Sequence, residues 1–279
     1  MDIVHTISEL RSRLAGAKAI AFVPTMGHLH AGHIDLIRVA RVNVGESGQV
    51  VTSIFVNRLQ FGANEDFDKY PRSFKEDCEQ CRQAGVDIVF VPDEVEMYPE
   101  PQTCAIELPD IQHILDGVVR PGHFRGVATV VMKLFNMVQP SVAVFGKKDY
   151  QQCRVLLNMV RQFNLPIEMV LVDTMRAADG LALSSRNAYL TVAERIEAPQ
   201  LYAVLGDIKS KLLAGSKNYD AIETEALNYL QTRGWQPDYI TIRCRLDLLQ
   251  PTISEKTLVI LAAARLGTTR LIDNVEVLL

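Results

Sequence analysis

The sequence contains no apolar stretch long enough to cross a membrane. Its longest apolar runs, such as residues 258–264, are far shorter than the roughly 18 residues that a spanning helix needs. The first residues include Asp2, His5 and Glu9 and do not form the apolar core of a secretion signal. We therefore expect neither membrane insertion nor secretion.

Clusters of basic residues are also missing. The 29 lysines and arginines are balanced by 33 acidic residues, which leaves a formal net charge of -4. Because proteins that coat nucleic acids carry a strongly basic surface, this composition argues against nucleic acid as a partner.

The cysteines do not form a disulfide framework. There are five, an odd number scattered over a long chain, which suits a reducing cytoplasm. Cys78 and Cys81 form a C-x-x-C pair that could be redox-active or half of a zinc site, but no second C-x-x-C or histidine pair completes such a site. Because the pair lies in a helix-like stretch, SFKEDCEQCRQAG, we interpret both residues as ordinary helical thiols.

Short apolar stretches alternate with stretches of helical periodicity over the first ~170 residues. This alternation predicts an α/β fold with a doubly wound parallel (Rossmann-like) sheet, whose ligand binds at the carboxyl ends of the strands. The predicted strands are residues 19–25, 50–56, 87–91, 142–145 and 167–172, and the predicted helices include residues 4–14, 34–39, 74–84, 126–138 and 151–163.

The pattern changes beyond residue 174. Two helices are predicted at residues 193–213 and 219–232, followed by three strands at 238–243, 257–263 and 270–276. This order predicts a second, smaller α+β domain. We therefore divide the chain into a Rossmann-like domain at residues 1–174 and a C-terminal lid domain at residues 175–279, with no flexible linker between them.

The most informative local pattern is His30-Ala31-Gly32-His33, which stands between the first parallel strand of this alternation and the helix that follows. A helix start offers unpaired N–H groups and a positive dipole end, and glycine allows the backbone to approach a ligand closely. Two imidazoles three residues apart could donate hydrogen bonds to a phosphate as charge builds on it. The alternative interpretation is a pair of helix-capping or surface histidines.

The stretch around these histidines, PTMGHLHAGH, resembles the signature of the pantoate–β-alanine ligase (pantothenate synthetase) family. That family is related to other nucleotidyltransferases, including the class I aminoacyl-tRNA synthetases, that share H-x-G-H. Further stretches similar to the family's signatures follow in the same order: SIFVNRLQFG, EDFDKYPR, LDGVVRPGHFRGV, FGKKDYQQ and DGLALSSRN. The series covers most of residues 20–190 and is far more specific than H-x-G-H alone.

The resemblance implies an enzyme that joins (R)-pantoate to β-alanine at the expense of ATP. The expected intermediate is a pantoyl-adenylate, and the expected by-products are AMP and pyrophosphate. ATP is then a substrate accompanied by Mg²⁺. The resemblance further implies a cytoplasmic homodimer whose partners are these small molecules, with no nucleic-acid or membrane partner.

The resemblance also assigns site residues. His33, the expected proton donor, and His30 act with Lys148 and Arg186 in catalysis. Gln60 and Gln152 match the two glutamines that bind pantoate, and Gln60 also lies near β-alanine. The residues expected to contact ATP are Met26, Gly27, His30, His33, Gly146, Lys147, Lys148, Asp149, Met175, Leu183, Ser184, Ser185 and Arg186.

Two acidic residues, Glu76 and Asp77, could help hold the Mg²⁺ that accompanies a triphosphate, because this ion prefers oxygen ligands. The alternative is that two acids in the first turn of a helix balance its dipole.

Two positions depart from the family pattern. Arg58 stands where the family usually has proline, so the loop before Gln60 loses a fixed φ angle. Lys147 stands where the family usually has glutamate, which places two lysines side by side. We expect activity to be retained in spite of both changes.

Three other functions remain as alternatives. The chain could be a nucleotidyltransferase that stops after transferring AMP or CMP to a phosphate-bearing acceptor, or a sensor that binds ATP without turnover. A tRNA-charging role is the third, and the acidic net charge and the lack of an anticodon-reading module argue against it.

Overall fold

The computed structural model describes residues 1–63, 65–108 and 110–279, which form two compact units. The first unit comprises residues 1–147 and 155–173, and the second comprises residues 148–154 and 174–279. The second unit is therefore not continuous in sequence. The sequence-based division into a Rossmann-like domain at residues 1–174 and a lid domain at residues 175–279 stays a prediction.

The first unit contains six strands and most of the helices. In chain order they are β1 (Asp2–Val4), α1 (Ile7–Leu14), β2 (Ile20–Thr25), α2 (Ala31–Val44), β3 (Gln49–Ile54), α3 (Phe74–Gln83), β4 (Ile88–Phe90), α4 (Glu94–Met97), α5 (Asp116–Val119), α6 (His123–Val138), β5 (Val142–Gly146), α7 (Tyr150–Gln162) and β6 (Glu168–Val172). Helix α7 begins with residues that belong to the second unit.

All six strands pair in parallel, in the order β1-β4-β3-β2-β5-β6. From β2, the chain adds β3 and β4 on one side and later β5 and β6 on the other. The order of the sheet therefore reverses between β2 and β5, and ligands of such sheets bind at the carboxyl ends of the strands at this point. The predicted doubly wound parallel sheet is confirmed.

The core of this unit explains why the chain folds as it does. Strand β2 is buried along almost its whole length, and helix α2 covers the sheet with Ile37, Ala40 and Val44. These three residues recur at helical spacing, so one face of α2 is apolar and packs on the sheet. The start of α2 is thereby fixed beside the end of β2.

The second unit contains α8 (Val192–Glu197), α9 (Gln200–Leu213), α10 (Tyr219–Thr232), β7 (Gln236–Cys244), β8 (Thr257–Leu266) and β9 (Thr269–Leu278). The strands form an antiparallel sheet with β8 in the centre. The apolar run 258–264 lies in this central strand, and every one of its residues is buried. The predicted smaller α+β unit is confirmed.

Two features differ from the sequence-based expectation. The short edge strand β1 includes Val4, which the helical periodicity assigned to a helix. The single helix predicted at residues 193–213 is two helices, because Pro199 lacks the N–H group that would continue the helical hydrogen bonds.

Within the described part of the chain, no helix is both long enough and apolar enough to cross a membrane.

Candidate active site

Strands β2 and β3 end level with each other, since Thr25 pairs with Ile54. The Thr25 hydroxyl donates to the Ser53 carbonyl at 2.7 Å and accepts from the Gly27 N–H at 3.2 Å. Gly27 has a φ of +85°, and a Cβ at this position would lie 3.1 Å from both the Asp77 carboxylate and the Ile54 side chain. Glycine is therefore required where the chain turns out of β2.

Asp77 on α3 holds the loop between β2 and α2. Its two carboxylate oxygens accept from the backbone N–H groups of His28 (2.9 Å) and Leu29 (2.8 Å). The Ser73 hydroxyl also donates to it, at 3.2 Å. Asp77 is only 1% exposed. Its observed role is thus to fix the loop, whereas Glu76 beside it is exposed.

His30 and His33 cap the start of α2. The Nδ1 atom of His30 accepts from the Gly32 N–H at 3.2 Å, and the Nδ1 atom of His33 accepts from the His30 N–H at 3.3 Å. The two ring centroids are 4.1 Å apart. Because each Nδ1 acts as an acceptor, the proton of each neutral imidazole is on Nε2, which is then a donor. Both histidines are therefore helix caps, as the alternative interpretation holds. Because capping uses Nδ1 as the acceptor, it leaves the Nε2–H group of each ring as a donor.

Gln60 lies in the short helical turn that follows β3. Its side-chain oxygen accepts from Asn57 Nδ2 at 3.1 Å, and its Nε2 is 3.3 Å from the sulfur of Met26. The Tyr98 hydroxyl donates to Asn57 Oδ1 at 2.7 Å. The predicted ATP residue Met26 and the predicted pantoate residue Gln60 are therefore in contact within the first unit.

The backbone of the same turn is held by helix α6. His123 Nδ1 donates to the Gln60 carbonyl at 2.8 Å, and Arg120 donates to His123 Nε2 at 2.9 Å. Glu65 accepts two hydrogen bonds from Arg120, at 2.6 and 2.8 Å. Burial, aided by the nearby Arg120 charge, lowers the pKa of His123 to about 4, so this histidine is neutral at pH 7.

Arg58, at the position of the expected proline, contacts Phe67 and Glu94 rather than the Gln60 side chain. Its guanidinium carbon lies 4.0 Å from the centre of the Phe67 ring, and its Nε donates to Glu94 at 2.9 Å. Arg58 and Glu94 are both about half exposed. The additional positive charge at this position is therefore balanced by Glu94.

The predicted ATP loop, residues 146–149, follows β5 and crosses from the first unit into the second. Lys147 belongs to the first unit and donates to Asp173 at 2.7 Å. Asp173 is 89% exposed, whereas Lys147 is 21% exposed. This ion pair balances the charge that distinguishes Lys147 from the expected glutamate.

In the second unit, β9 holds the segment that carries Lys148 and Gln152. Asn274 Nδ2 donates to the Lys148 carbonyl at 3.0 Å, and the Tyr150 hydroxyl donates to Glu276 at 2.9 Å. Lys148 and Gln152 are half-buried, and Asp149 is exposed.

The other predicted ATP residues of this unit lie in one loop. The Leu183 N–H donates to the Met175 carbonyl at 2.9 Å and closes the loop. Ser184 begins a short helical turn at Ser185–Tyr189, and its hydroxyl accepts from the Arg186 N–H at 3.3 Å. Ser185 is buried, whereas Ser184 and Arg186 are half-buried. The structure thus brings Met175, Leu183, Ser184, Ser185 and Arg186 together.

A buried ion pair anchors this loop to β9. Arg176 donates to both carboxylate oxygens of Asp273, at 2.6 and 2.8 Å, and its guanidinium carbon lies 3.7 Å from the centre of the Tyr202 ring. Asp273 is 3% exposed, and burial raises its pKa against the opposing effect of Arg176. The sequence motifs assign no role to these residues, although an aspartate within an apolar strand is a signal of a buried partner.

The C-x-x-C cysteines are both buried on α3, and burial raises their pKa values, that of Cys81 to about 12. Among the residues that the structure describes, no group of three or more histidine, cysteine or acidic side chains could hold a metal ion.

A parallel sheet whose order reverses beside a histidine-capped helix start defines an α/β protein of the class that binds phosphate-bearing ligands. The model of the pantoate-beta-alanine ligase family matches residues 2–276. The chain therefore belongs to the pantoate–β-alanine ligase family. The predicted family, fold and enzymatic nature of the chain are confirmed.

Individual relatives agree with this assignment. The chain is 55% identical to the pantothenate synthetase of Methylobacillus flagellatus, over 99% of this chain and 98% of that protein. It is also 55% identical to the pantothenate synthetase of Leptothrix cholodnii, over 99% and 100%.

Solved structures are similar over the whole chain. The pantothenate synthetase of Thermus thermophilus matches with a TM-score of 0.94 and 42% identity, covering 100% of both chains. The pantoate-beta-alanine ligase of Francisella tularensis, solved in complex with beta-gamma ATP and beta-alanine, matches with a TM-score of 0.83 and 33% identity, covering 99% of this chain and 97% of that one.

Proposed function

We propose that the chain joins (R)-pantoate to β-alanine in two steps and forms pantothenate. In the first step, a pantoate carboxylate oxygen attacks the α-phosphate of ATP and pyrophosphate leaves. In the second, the free amine of β-alanine attacks the carbonyl of the adenylate, and AMP leaves with the carboxylate oxygen. Membership in the ligase family supports this function, as does the ligand pair of the Francisella tularensis structure.

The observation that carries the proposal is the geometry of His30 and His33. Both imidazoles are neutral donors through Nε2, fixed at a helix start beside the carboxyl end of β2. Donors fixed in advance stabilise charge that develops during attack on a phosphate, and the loss of one costs about 10²–10³ in rate. His33 and His30 therefore act on the α-phosphate, together with Lys148 and Arg186.

The remaining predicted residues bind the substrates. Gln60 and Gln152 bind pantoate, because a neutral amide can donate to a carboxylate and accept from a hydroxyl without adding charge. Gln60 also contacts β-alanine. ATP contacts Met26, Gly27, Gly146, Lys147, Lys148, Asp149, Met175, Leu183, Ser184, Ser185 and Arg186, in addition to the two histidines.

Asp77 and Glu76, the two acidic residues that the sequence suggests, do not fit a magnesium ion held by the protein. Both oxygens of Asp77 accept hydrogen bonds from the loop, and its side chain is buried. Glu76 is exposed, and a single carboxylate is not enough to hold the ion. No step of the reaction is therefore assigned to a protein-bound metal. Mg²⁺ enters with the triphosphate as part of the substrate.

The protein acts as a homodimer in the cytoplasm according to this proposal. Five free cysteines suit a reducing compartment such as the cytoplasm. The test of the homodimer is analytical sedimentation at micromolar concentration, which measures the oligomeric state.

The test measures the products from MgATP and pantoate labelled with ¹⁸O in its carboxylate, with and without β-alanine. We expect AMP and pantothenate only when both substrates are present, with one ¹⁸O atom in the AMP phosphate. ATP binding without pyrophosphate release would instead indicate a sensor. Pyrophosphate release that needs a phosphate-bearing acceptor would indicate a nucleotidyltransferase. The (S)-enantiomer of pantoate is the matched control.

A further inference from the structure

We propose that Glu65, Arg120 and His123 form a positioning relay that fixes Gln60 and thereby sets the affinity for pantoate. This inference rests on the proposed function, since the ligand of Gln60 is assigned there. The three residues are positioning residues, because they act through Gln60.

Every link of the relay has a fixed direction. Arginine carries donors only, so the contact at 2.9 Å makes His123 Nε2 an acceptor. The proton of the neutral ring is therefore on Nδ1, and Nδ1 donates to the Gln60 carbonyl at 2.8 Å. Arg120 thus determines which nitrogen of the imidazole carries the proton, and the donation to Gln60 follows from it.

Glu65 makes the arginine a rigid element. Its carboxylate accepts from Nε and Nη2 of Arg120, and both side chains are mostly buried, with 14% exposure for Arg120 and 24% for Glu65. A planar guanidinium held by two parallel hydrogen bonds keeps its plane and its position. The carboxylate also balances the arginine charge beside the neutral His123.

The turn that carries Gln60 needs this support because its own side-chain contacts are few. The Gln60 Nε2 group contacts the Met26 sulfur, a weak acceptor. The backbone, in contrast, lies directly against α6: a Cβ on Gly126 would lie 2.1 Å from the Leu59 carbonyl oxygen. Helix α6 therefore fixes the backbone from which the Gln60 side chain reaches an anionic ligand.

The first experiment compares His123→Leu with His123→Asn. Leucine removes the donor to Gln60, and we expect the KM for pantoate to rise about tenfold, the effect of one lost buried hydrogen bond, with the KM for ATP and kcat within about twofold. The Asn side chain has an N–H group at the place of Nδ1 and should restore most of the affinity. His5→Leu is the matched control, because His5 Nδ1 also contacts a backbone carbonyl, that of Val91, at 2.9 Å. Equal rises of both KM values, or no change in either, would overturn the relay.

A second measurement requires no turnover. Hydrogen–deuterium exchange of the segment 56–61 should accelerate about tenfold in His123→Leu and remain unchanged in His5→Leu. If the wild-type protein releases no pyrophosphate with pantoate, the proposed function fails, whereas this exchange still decides the relay. Unchanged exchange in His123→Leu would refute it.

A milder variant covers the case in which His123→Leu does not fold. Glu65→Gln retains an acceptor for Arg120 but loses the charge, so we expect the same direction of change with about a threefold rise in the KM for pantoate. A rise in the KM for ATP alone, or no change in either KM, would contradict the relay.

Discussion

The segments that follow β2 and β3 start level on neighbouring parallel strands, yet they are held in different ways. The loop after β2 depends on Gly27, on helix caps within the loop and on one buried carboxylate, Asp77. The turn after β3 depends on side chains from α6 and from the end of α4, through His123 and Tyr98. Phosphate chemistry is thus assigned to the segment with mostly local support. The segment that carries Gln60, which is assigned to pantoate, depends on contacts from distant parts of the chain.

The largest expected effect concerns the locally supported loop. His33→Ala should reduce the rate of pyrophosphate release about 10²–10³-fold, because one fixed donor to the α-phosphate is lost. Pantoate affinity, measured by calorimetry, should change far less, since pantoate is assigned to Gln60 and Gln152, which lie outside this loop. His113→Ala, an exposed histidine, is the control. Equal losses in rate and in pantoate affinity would remove the distinction between the two segments.

Asp77→Asn tests the carboxylate that holds the same loop. The amide nitrogen would replace one of the two carboxylate oxygens and place a donor against the backbone N–H of either His28 or Leu29, so we expect the free energy of unfolding to fall by about 1.5–3 kcal/mol in urea denaturation. Glu79→Gln, on the exposed side of the same helix, should change it by less than ~0.5 kcal/mol. Identical stabilities of the two variants would show that the loop does not depend on Asp77.

Gly126→Ala tests the dependence of the other segment on α6. The added methyl group would collide with the Leu59 carbonyl, so we expect a loss of about 1–3 kcal/mol in unfolding free energy and a higher KM for pantoate. Gly206 is also inside a helix but has no atom within 4 Å of a Cβ, so Gly206→Ala should increase stability by about 0.5–1 kcal/mol. An unchanged KM for pantoate in Gly126→Ala would show that pantoate binding does not depend on the contact between this turn and α6.

The smallest effect is expected from restoring the family residues. Arg58 and Lys147 are already balanced by Glu94 and Asp173 in exposed ion pairs, which contribute little. Turnover of the double variant Arg58→Pro, Lys147→Glu should therefore stay within about fivefold of wild type, or ~1 kcal/mol. A strong rise from near zero would mean that the native chain is impaired.

The sequence predicts the main elements of the fold well, because they are long and periodic. Periodicity does not reveal strand β1, because three residues carry no clear period and Val4 also fits the helical spacing of α1. Periodicity does not reveal the break at Pro199 either, because the apolar spacing continues on both sides of it. At Pro199 a local chemical rule outweighs the periodicity, whereas β1 is a strand because it pairs with the distant strand β4.

The candidate site was predicted unevenly for a related reason. The position of His30 and His33 at a helix start follows from the chain around them. The role of Asp77 does not, because an acid in the first turn of a helix looks the same whether it balances a dipole, binds a metal or accepts backbone N–H groups. The relay from Glu65 to Gln60 joins residues far apart in the sequence, and neither spacing nor composition reveals such contacts.

The discontinuous second unit has a practical consequence for dividing this protein into fragments. Cutting between residues 173 and 174 leaves residues 148–154 on the wrong piece, and Asn274 and Glu276 then lose the partners they have in Lys148 and Tyr150. The fragment 174–279 is therefore incomplete, whereas the fragment 1–173 contains the whole first unit and a segment of the second. A fragment that represents the second unit must therefore join residues 148–154 to residues 174–279.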